Sequence, residues 1–149
     1  MKTIVAALDF SDATPSVVET ASTMAKSFGA VLHLVHCIEP EPTYSAYGFT
    51  PEEVPAIHSF QKEARTRAEQ ALAAQTEKVA EGVAVDTELI EGNPLHELLA
   101  YATENHADLL VLGTHGHGVV ASVLLGSVAE GIVRKAEIPA LVVPAPHRK

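Results

Sequence analysis

The chain has 149 residues and a formal net charge of −9, from 10 Lys and Arg against 19 Asp and Glu. This excess of acid disfavours general binding to nucleic acids or anionic membranes, because like charges repel at long range. Hydrophobic residues make up 47% and charged residues 19%, proportions that exclude disorder over most of the chain. A domain of this size typically buries ~68–70% of its unfolded surface and needs no disulfide or metal. We therefore expect residues 1–149 to form a single domain.

Short apolar runs alternate with longer stretches of helical periodicity. The runs are rich in branched residues, as in strands that are buried on both faces of a sheet. In chain order, strands are predicted at residues 3–8, 30–38, 83–90, 108–112 and 140–143. Helices are predicted at residues 15–28, from 54 to about 81, from 94 to about 102, and at 127–135. One apolar stripe is predicted for the second helix, formed by Ile57, Ala64, Ala68, Leu72 and Val79.

Residues at the helix ends give the boundaries. Thr14 is the predicted N-cap of the first helix, Pro15 its first position and Gly29 its stop. Ser127 and Glu130 have the spacing of a capping box, which makes Ser127 the predicted N-cap of the fourth helix.

The alternation of strands and helices predicts a Rossmann-like parallel sheet with helices on both faces. Such sheets bind ligands at the carboxyl ends of the strands, where the strand order reverses. With the order 3-2-1-4-5, this point lies between strands one and four. The flanking loops then run from Asp9 to Ser11 and onward from Gly113.

The loop from Gly113 to Ser127 is rich in glycine and leads from a strand into a helix. Glycines allow close approach of the backbone, and amides at a helix start attract phosphate. The loop is neither a Walker loop nor a dinucleotide fingerprint, and by its spacing alone it is equally consistent with a simple turn. No Lys or Arg lies between Val79 and Val133. A bound triphosphate would need amides, His115 or His117, and a divalent cation, for which Asp9 is a candidate outer ligand or a ribose acceptor.

The spacing Gly113-x2-Gly116-x9-Gly126-Ser127 resembles the ATP-binding signature of the universal stress protein family. The resemblance extends over the chain, through the early Asp9, residues 35–38, 92–94 and the closing residues 138–143. It implies a five-stranded α/β fold, a homodimer and ATP in the crevice, with ADP or AMP as alternatives and Mg²⁺ or Mn²⁺ held through the phosphates.

The resemblance also implies which residues bind the nucleotide. The adenine and ribose would lie at Ala7, Asp9 and Cys37, the last mainly through its backbone, with Ser11 in the same loop. The phosphates and ribose would lie at Gly113, His115, Gly116, Gly126, Ser127 and Val128. Some relatives carry a basic residue soon after the second glycine, where this chain has His117 and Gly118.

Other chemistry is disfavoured. Cys37 is the single cysteine, which is typical of a reducing compartment, and no basic neighbour is evident to activate it. His33 and His36 are predicted to be structural, and His115 with His117 makes a poor zinc site. Neither Ser11, Ser122 nor Ser127 has the context of a catalytic nucleophile, so no catalytic residue or protein-held metal is predicted. Tyr44 and Tyr47 lie in a loop that either covers the crevice or is simply exposed.

The last strand would lie at an edge of the sheet without a charged residue. Such an edge is usually paired or covered, so a homodimer through Leu141, Val142 and Val143 is expected. With no signal peptide and no apolar run that could span a membrane, the chain is expected to be cytoplasmic. Three functions remain open at this point: an ATP-binding regulatory protein with an unidentified client, a dimeric scaffold that binds no nucleotide, or a slow ATP hydrolase.

Overall fold

The computed structural model describes residues 1–40, 48, 50–115 and 125–146. Its parallel sheet has the order β3-β2-β1-β4-β5, which confirms the predicted fold class and topology. The strands are β1 (Thr3–Ala7), β2 (Val31–Ile38), β3 (Val85–Glu91), β4 (Leu109–Gly113) and β5 (Ala140–Val143). The helices are α1 (Thr14–Phe28), α2 (Val54–Gln75), α3 (Pro94–Glu104) and α4 (Ser127–Lys135).

Alternation along the strands divides the core between the two faces of the sheet. Ile4 and Leu32 pack with α1 and α2, whereas Val5, Val35 and Leu110 pack with α3 and α4. Ile4 and Val5 are both fully buried, as expected of a central strand covered on both faces. Within the described ranges, no helix is both long and apolar enough to cross a membrane.

The start of α1 is one residue earlier than predicted. Ala13, and not Thr14, occupies the N-cap, because the carbonyl of Ala13 already accepts a helical hydrogen bond from the amide of Val17. The chain before it turns tightly, with the amide of Thr14 donating to the carbonyl of Ser11 at 3.0 Å. The end of α1 is as predicted, since Gly29 has a left-handed φ of 64°.

The predicted capping box of α4 is wrong. Gly126 is the N-cap and Ser127 is the first helical residue, since the amide of Glu130 donates to the carbonyl of Gly126 at 2.9 Å. The carboxylate of Glu130 binds the Arg134 guanidinium at 2.8 Å and does not fold back onto the helix start. An i,i+4 ion pair has therefore replaced the reciprocal cap.

The helix α2 ends six residues before its predicted limit. Residues Thr76–Lys78 tighten into a 3₁₀ turn, and the Thr76 hydroxyl donates to the carbonyl of Ala73 at 2.7 Å. The predicted stripe does face inward, although only Leu72 is fully buried. The apolar face of α2 is therefore correctly predicted and its length is not.

A carboxylate joins the amino ends of the two central strands. Asp108 lies just before β4 and accepts hydrogen bonds from the amides of Lys2 at 2.6 Å and Thr3 at 3.0 Å. Its own amide donates to the carbonyl of Thr3 at 2.8 Å. The hydrogen bonds from Lys2 and Thr3 lower the pKa of Asp108, because they favour its charged form.

Candidate functional site

A cavity of about 560 Å³ opens at the carboxyl ends of β1, β2 and β4, beside the start of α4. This is the point at which the strand order reverses, as the topology predicted. Its volume lies in the range typical of small-molecule sites. The cavity brings together seven residues that the sequence proposed, namely Ala7, Asp9, Cys37, Gly113, Gly126, Ser127 and Val128.

The other proposed residues are placed differently. Ser11 does not line the cavity, and its hydroxyl accepts the amide of Ala13 at 3.4 Å, next to the start of α1. His115 also lies off the lining, with its Nδ1 at 3.0 Å from the hydroxyl of Thr114. Gly116 lies outside the described residues, as do His117, Gly118, Tyr44, Tyr47 and Ser122.

Sequence reasoning missed part of the lining. Leu8 and Thr114 each follow directly on a strand that the prediction had already placed at the cavity. The strand ends were therefore the available signal, but a position in a strand does not show which residues border a cavity. The missed lining residues are Leu8, Val35, His36, Glu39, Pro94, Leu98, Leu112, Thr114 and Ala129.

The start of α4 places backbone amides that have no helical acceptor at the cavity. The amide of buried Gly126 donates to the carbonyl of Thr114 at 2.7 Å, which fixes the helix start against the end of β4. The next amides, of Ser127, Val128 and Ala129, belong to the first helical turn and have no acceptor within the helix. All three residues line the cavity. The cavity therefore meets the positive end of the α4 dipole.

The turn after β1 carries the acidic group of the site. One carboxylate oxygen of Asp9, Oδ1, accepts the amide of Ser11 at 2.9 Å. Among the described residues, Oδ2 has no hydrogen-bond partner, so it is available to a ligand. The next residue, Phe10, has a left-handed φ of 59°, which costs a residue other than glycine roughly 1–2 kcal/mol.

The thiol of Cys37 is a weak acid. Burial raises its pKa to about 11, and the carboxylates of Glu97, Glu39 and Glu91 add to the effect. Its Sγ lies 3.5 Å from the carbonyl oxygen of Gly92. The thiol therefore stays protonated near neutral pH, in agreement with its predicted lack of reactivity.

Both strand histidines have partners, as predicted. Nδ1 of His33 lies 2.8 Å from the hydroxyl of Tyr101. Nδ1 of His36 lies 2.6 Å from the carbonyl oxygen of Leu8. Since a carbonyl only accepts, Nδ1 of His36 carries the hydrogen. His36 thus connects β2 to the turn that holds Asp9.

The described lining of the cavity contains no Lys or Arg, but it includes Asp9 and Glu39. Within the described ranges, no three His, Cys, Asp or Glu side chains form a cluster that could hold a metal. An anionic ligand would therefore be bound by backbone amides, and a cation would be held chiefly by the ligand itself.

A second cavity, of about 430 Å³, lies along α2 and shares Glu39 with the first. It contains Lys62 and Arg65, but Arg65 is already engaged by Glu91 at 3.3 Å and by Glu69 at 3.4 Å. The cavity at the switch point, with the first-turn amides of α4 at its wall, is the better candidate for a binding site.

A model of the universal stress protein family matches residues 1–144. A universal stress protein of Methanocaldococcus jannaschii is 32% identical over 152 residues, which cover 99% of this chain and 85% of that protein. A universal stress protein of Thermus aquaticus is 35% identical over 144 residues, which cover 95% and 98%.

Solved structures agree with the fold. The universal stress protein UspA from Lactobacillus plantarum has a TM-score of 0.82 at 23% identity, with 95% of this chain and 97% of that chain covered. A universal stress protein in complex with cAMP has a TM-score of 0.61 at 26% identity, with 97% and 98% covered.

Proposed function

We propose that this chain, which belongs to the universal stress protein family, binds an adenine nucleotide in the cavity at the switch point of its sheet. The observation that carries this proposal is the cavity of about 560 Å³, which is lined by Ser127, Val128 and Ala129, the residues whose first-turn amides have no acceptor within the helix. A phosphate group meets the hydrogen-bonding needs of such amides and the field of the helix dipole together. A related protein with a similar fold binds an adenine nucleotide, cAMP.

The nucleotide lies across the cavity in a defined direction. Its adenine and ribose lie near Ala7, Asp9 and Cys37, where apolar wall and one carboxylate meet. Its phosphates lie near Gly113 and the start of α4, together with Gly126, Ser127 and Val128. We also propose that Ser11, His115 and Gly116 contact the nucleotide.

Charge favours a divalent cation on the phosphates of ATP. Asp9 and Glu39 line the cavity without a Lys or Arg among its described residues, so a bare triphosphate would meet net repulsion. Mg²⁺ or Mn²⁺, held through the phosphates, removes much of this charge. ADP or AMP carries less charge and needs less compensation.

We assign the protein a regulatory role, in which the bound nucleotide sets its conformation or its choice of a client protein. Residues 1–149 act as one domain, and two copies pair through the uncharged edge strand β5, at Leu141, Val142 and Val143. The inert thiol of Cys37 is typical of a reducing, cytoplasmic setting.

The direct test is to purify the protein without added nucleotide, denature it and analyse the released material by anion-exchange chromatography. We expect near-stoichiometric adenine nucleotide. Calorimetry of the emptied protein with Mg-ATP, Mg-ADP, AMP and cAMP then ranks the ligands. A protein that carries no nucleotide and binds none of these ligands contradicts the proposal and favours the dimeric scaffold.

Turnover separates binding from catalysis. Incubation of the protein with Mg-ATP is expected to release phosphate no faster than a few times per minute, because the described residues include no nucleophile paired with a base at the cavity. Faster release that depends on the cavity would make the protein an ATP hydrolase.

A further inference from the structure

We infer that Phe10 is a positioning residue that fixes the Asp9 carboxylate for recognition of the ribose, by stacking on His36. The inference rests on the proposed adenine nucleotide site and names a determinant of its specificity. Phe10 itself is not among the residues that line the cavity, so it acts through its neighbour.

The conformation of Phe10 shows that its surroundings hold it in place. Its φ of 59° is unfavourable for a bulky side chain, and the alternative in the extended region is open to any residue in a free loop. Such outliers persist only where neighbouring contacts over-determine them, and they cluster at ligand sites. The left-handed turn reverses the chain between Asp9 and Ser11, which allows the Asp9 carboxylate to reach the Ser11 amide.

Three contacts connect the turn to the end of β2. The ring of Phe10 packs on the imidazole of His36, with the ring centres 4.5 Å apart and the planes inclined by 42°. The imidazole donates from Nδ1 to the carbonyl of Leu8 at 2.6 Å. The amide of Leu8 donates in turn to the carbonyl of Val35 at 2.8 Å. These three contacts fasten both sides of Asp9 to a buried strand.

These contacts fix the direction of one oxygen atom, Oδ2 of Asp9. With Oδ1 bound to the Ser11 amide, the direction of Oδ2 is set by the backbone turn and not by a free side-chain rotation. A carboxylate oxygen held at the cavity wall is an acceptor suited to a ribose hydroxyl. Loss of the Phe10 ring therefore frees the turn, and the carboxylate no longer selects for that hydroxyl.

The test compares ribose with deoxyribose in calorimetric titrations with Mg-ATP, Mg-2′-deoxy-ATP and Mg-3′-deoxy-ATP. We expect the wild-type protein to bind one of the deoxy probes about tenfold more weakly than Mg-ATP, the effect of one hydrogen bond to a charged acceptor. In Phe10→Gly the ratio of the dissociation constants for that deoxy probe and for Mg-ATP falls below about threefold, while affinity for the deoxy probe is nearly unchanged. Glycine accepts both the left-handed and the extended conformations, so the variant can fold while its turn is no longer held in one of them.

A second variant and a control separate positioning from stability. His36→Leu keeps the bulk of the side chain but removes the donor to Leu8 and the stacked imidazole, and it is expected to lower the ratio in the same way. Phe28→Ala removes an exposed phenylalanine at the end of α1 and is expected to leave the ratio unchanged. In an Asp9→Ala background, Phe10→Gly should have no further effect on the ratio.

The outcomes are distinct. A ratio that stays near tenfold in Phe10→Gly and His36→Leu overturns the inference, as does equal weakening of Mg-ATP and both deoxy probes. A wild-type protein that does not discriminate against either deoxy probe overturns it as well. A wild-type protein that binds no adenine nucleotide at all refutes the proposed function, and thereby the premise of this inference.

Discussion

The two edges of the sheet differ sharply in charge. On β3, the side chains of Asp86, Glu88 and Glu91 are exposed along the edge. The opposite edge strand, β5 (Ala140–Val143), has no charged residue and consists of small and branched apolar side chains. Charge on an edge strand discourages pairing with another sheet, and an uncharged edge invites it. The contrast favours β5 over β3 for the proposed pairing of two copies, with the candidate cavity between the two edges.

The backbone at each edge can be placed by its hydrogen bonds. The carbonyls of Pro139 and Val143 accept the amides of Leu110 in β4 and of Thr114 directly after it. The alternate residue Val142 therefore directs its amide and carbonyl outward. At the other edge, Ala84 and Gly92 bond to β2, and by the same alternation Thr87 faces outward. Val142 and Thr87 are therefore matched positions at the two edges.

The largest expected effect is a loss of Mg-ATP affinity at the central cavity, without a change in pairing at either edge of the sheet. Ser127→Pro removes one amide without a helical acceptor and a hydroxyl from the cavity lining, while proline is well tolerated at the first helical position after an extended Gly126. We expect affinity for Mg-ATP to fall about 100-fold, or about 3 kcal/mol for one charged and one neutral hydrogen bond. Calorimetry measures the loss, and sedimentation should show an unchanged dimer.

Ser127→Ala is the matched control for that substitution. It removes only the hydroxyl and is expected to weaken binding less than tenfold. Equal affinity in the wild-type protein and Ser127→Pro would place the phosphates elsewhere.

Burial and the nearby carboxylates are also expected to slow the reaction of the Cys37 thiol with alkylating reagents. With a pKa raised from 9.0 to about 11, its thiolate fraction at pH 8 is about 100-fold below that of an ordinary thiol. Alkylation by iodoacetamide should therefore be slower by about the same factor and accelerate as the pH rises toward 11. Mass spectrometry follows the single cysteine. Labelling at the rate of a free thiol would contradict the burial of this group.

Two carboxylate variants extend this measurement to the two sides of the sheet. Glu91→Gln on β3 should accelerate labelling slightly, since burial and not charge is the main cause of the raised pKa. Glu137→Gln, before β5, should have no effect.

The fold was predictable from the sequence because buried parallel strands read as apolar runs, and alternating helices allow few topologies. The pattern predicted a parallel sheet covered on both faces, and once the order 3-2-1-4-5 was taken for it, the location of the cavity followed. Two helix starts were predicted one residue late, since Thr14 and Ser127 both look like caps but are first helical residues. Tertiary contacts decided both cases, by the turn at Ser11 and by the fixing of Gly126 to Thr114.

The candidate site was predictable only in part. Asp9 and Gly113, at the ends of strands, could be placed from the topology, whereas Ala7 was proposed from the family resemblance. The role of His36 could not, because its contact with the Leu8 carbonyl joins β2 to a turn that lies 28 residues earlier in the chain. The left-handed φ of Phe10 was also beyond sequence reasoning, since phenylalanine gives no signal for that conformation.

The edge comparison itself is tested by paired proline substitutions. Val142→Pro removes an outward amide from β5 without removing a bond to β4, and we expect the dimer dissociation constant to rise about 30-fold. The reason is the loss of two symmetry-related hydrogen bonds, about 1 kcal/mol each. Thr87→Pro makes the same change on β3 and should leave the dimer intact. Analytical ultracentrifugation over a dilution series distinguishes the two, and an equal effect of both substitutions would remove the distinction between the edges.

The smallest expected effect concerns Asp108, which joins strands β1 and β4 and lies at neither edge of the sheet. Hydrogen bonds from Lys2 and Thr3 lower the pKa of Asp108 in the folded state, so the charged carboxylate stabilises the fold above the unfolded pKa, about 3.8. This contribution is lost as the pH falls through the lower, folded pKa. Asp108→Asn should therefore reduce stability at pH 7 and flatten its decline as the pH falls below about 5. Urea unfolding across that range measures the slope. Because Asp108 joins β1 to β4 and touches neither edge, the dimer dissociation constant and the affinity for Mg-ATP should both remain at their wild-type values.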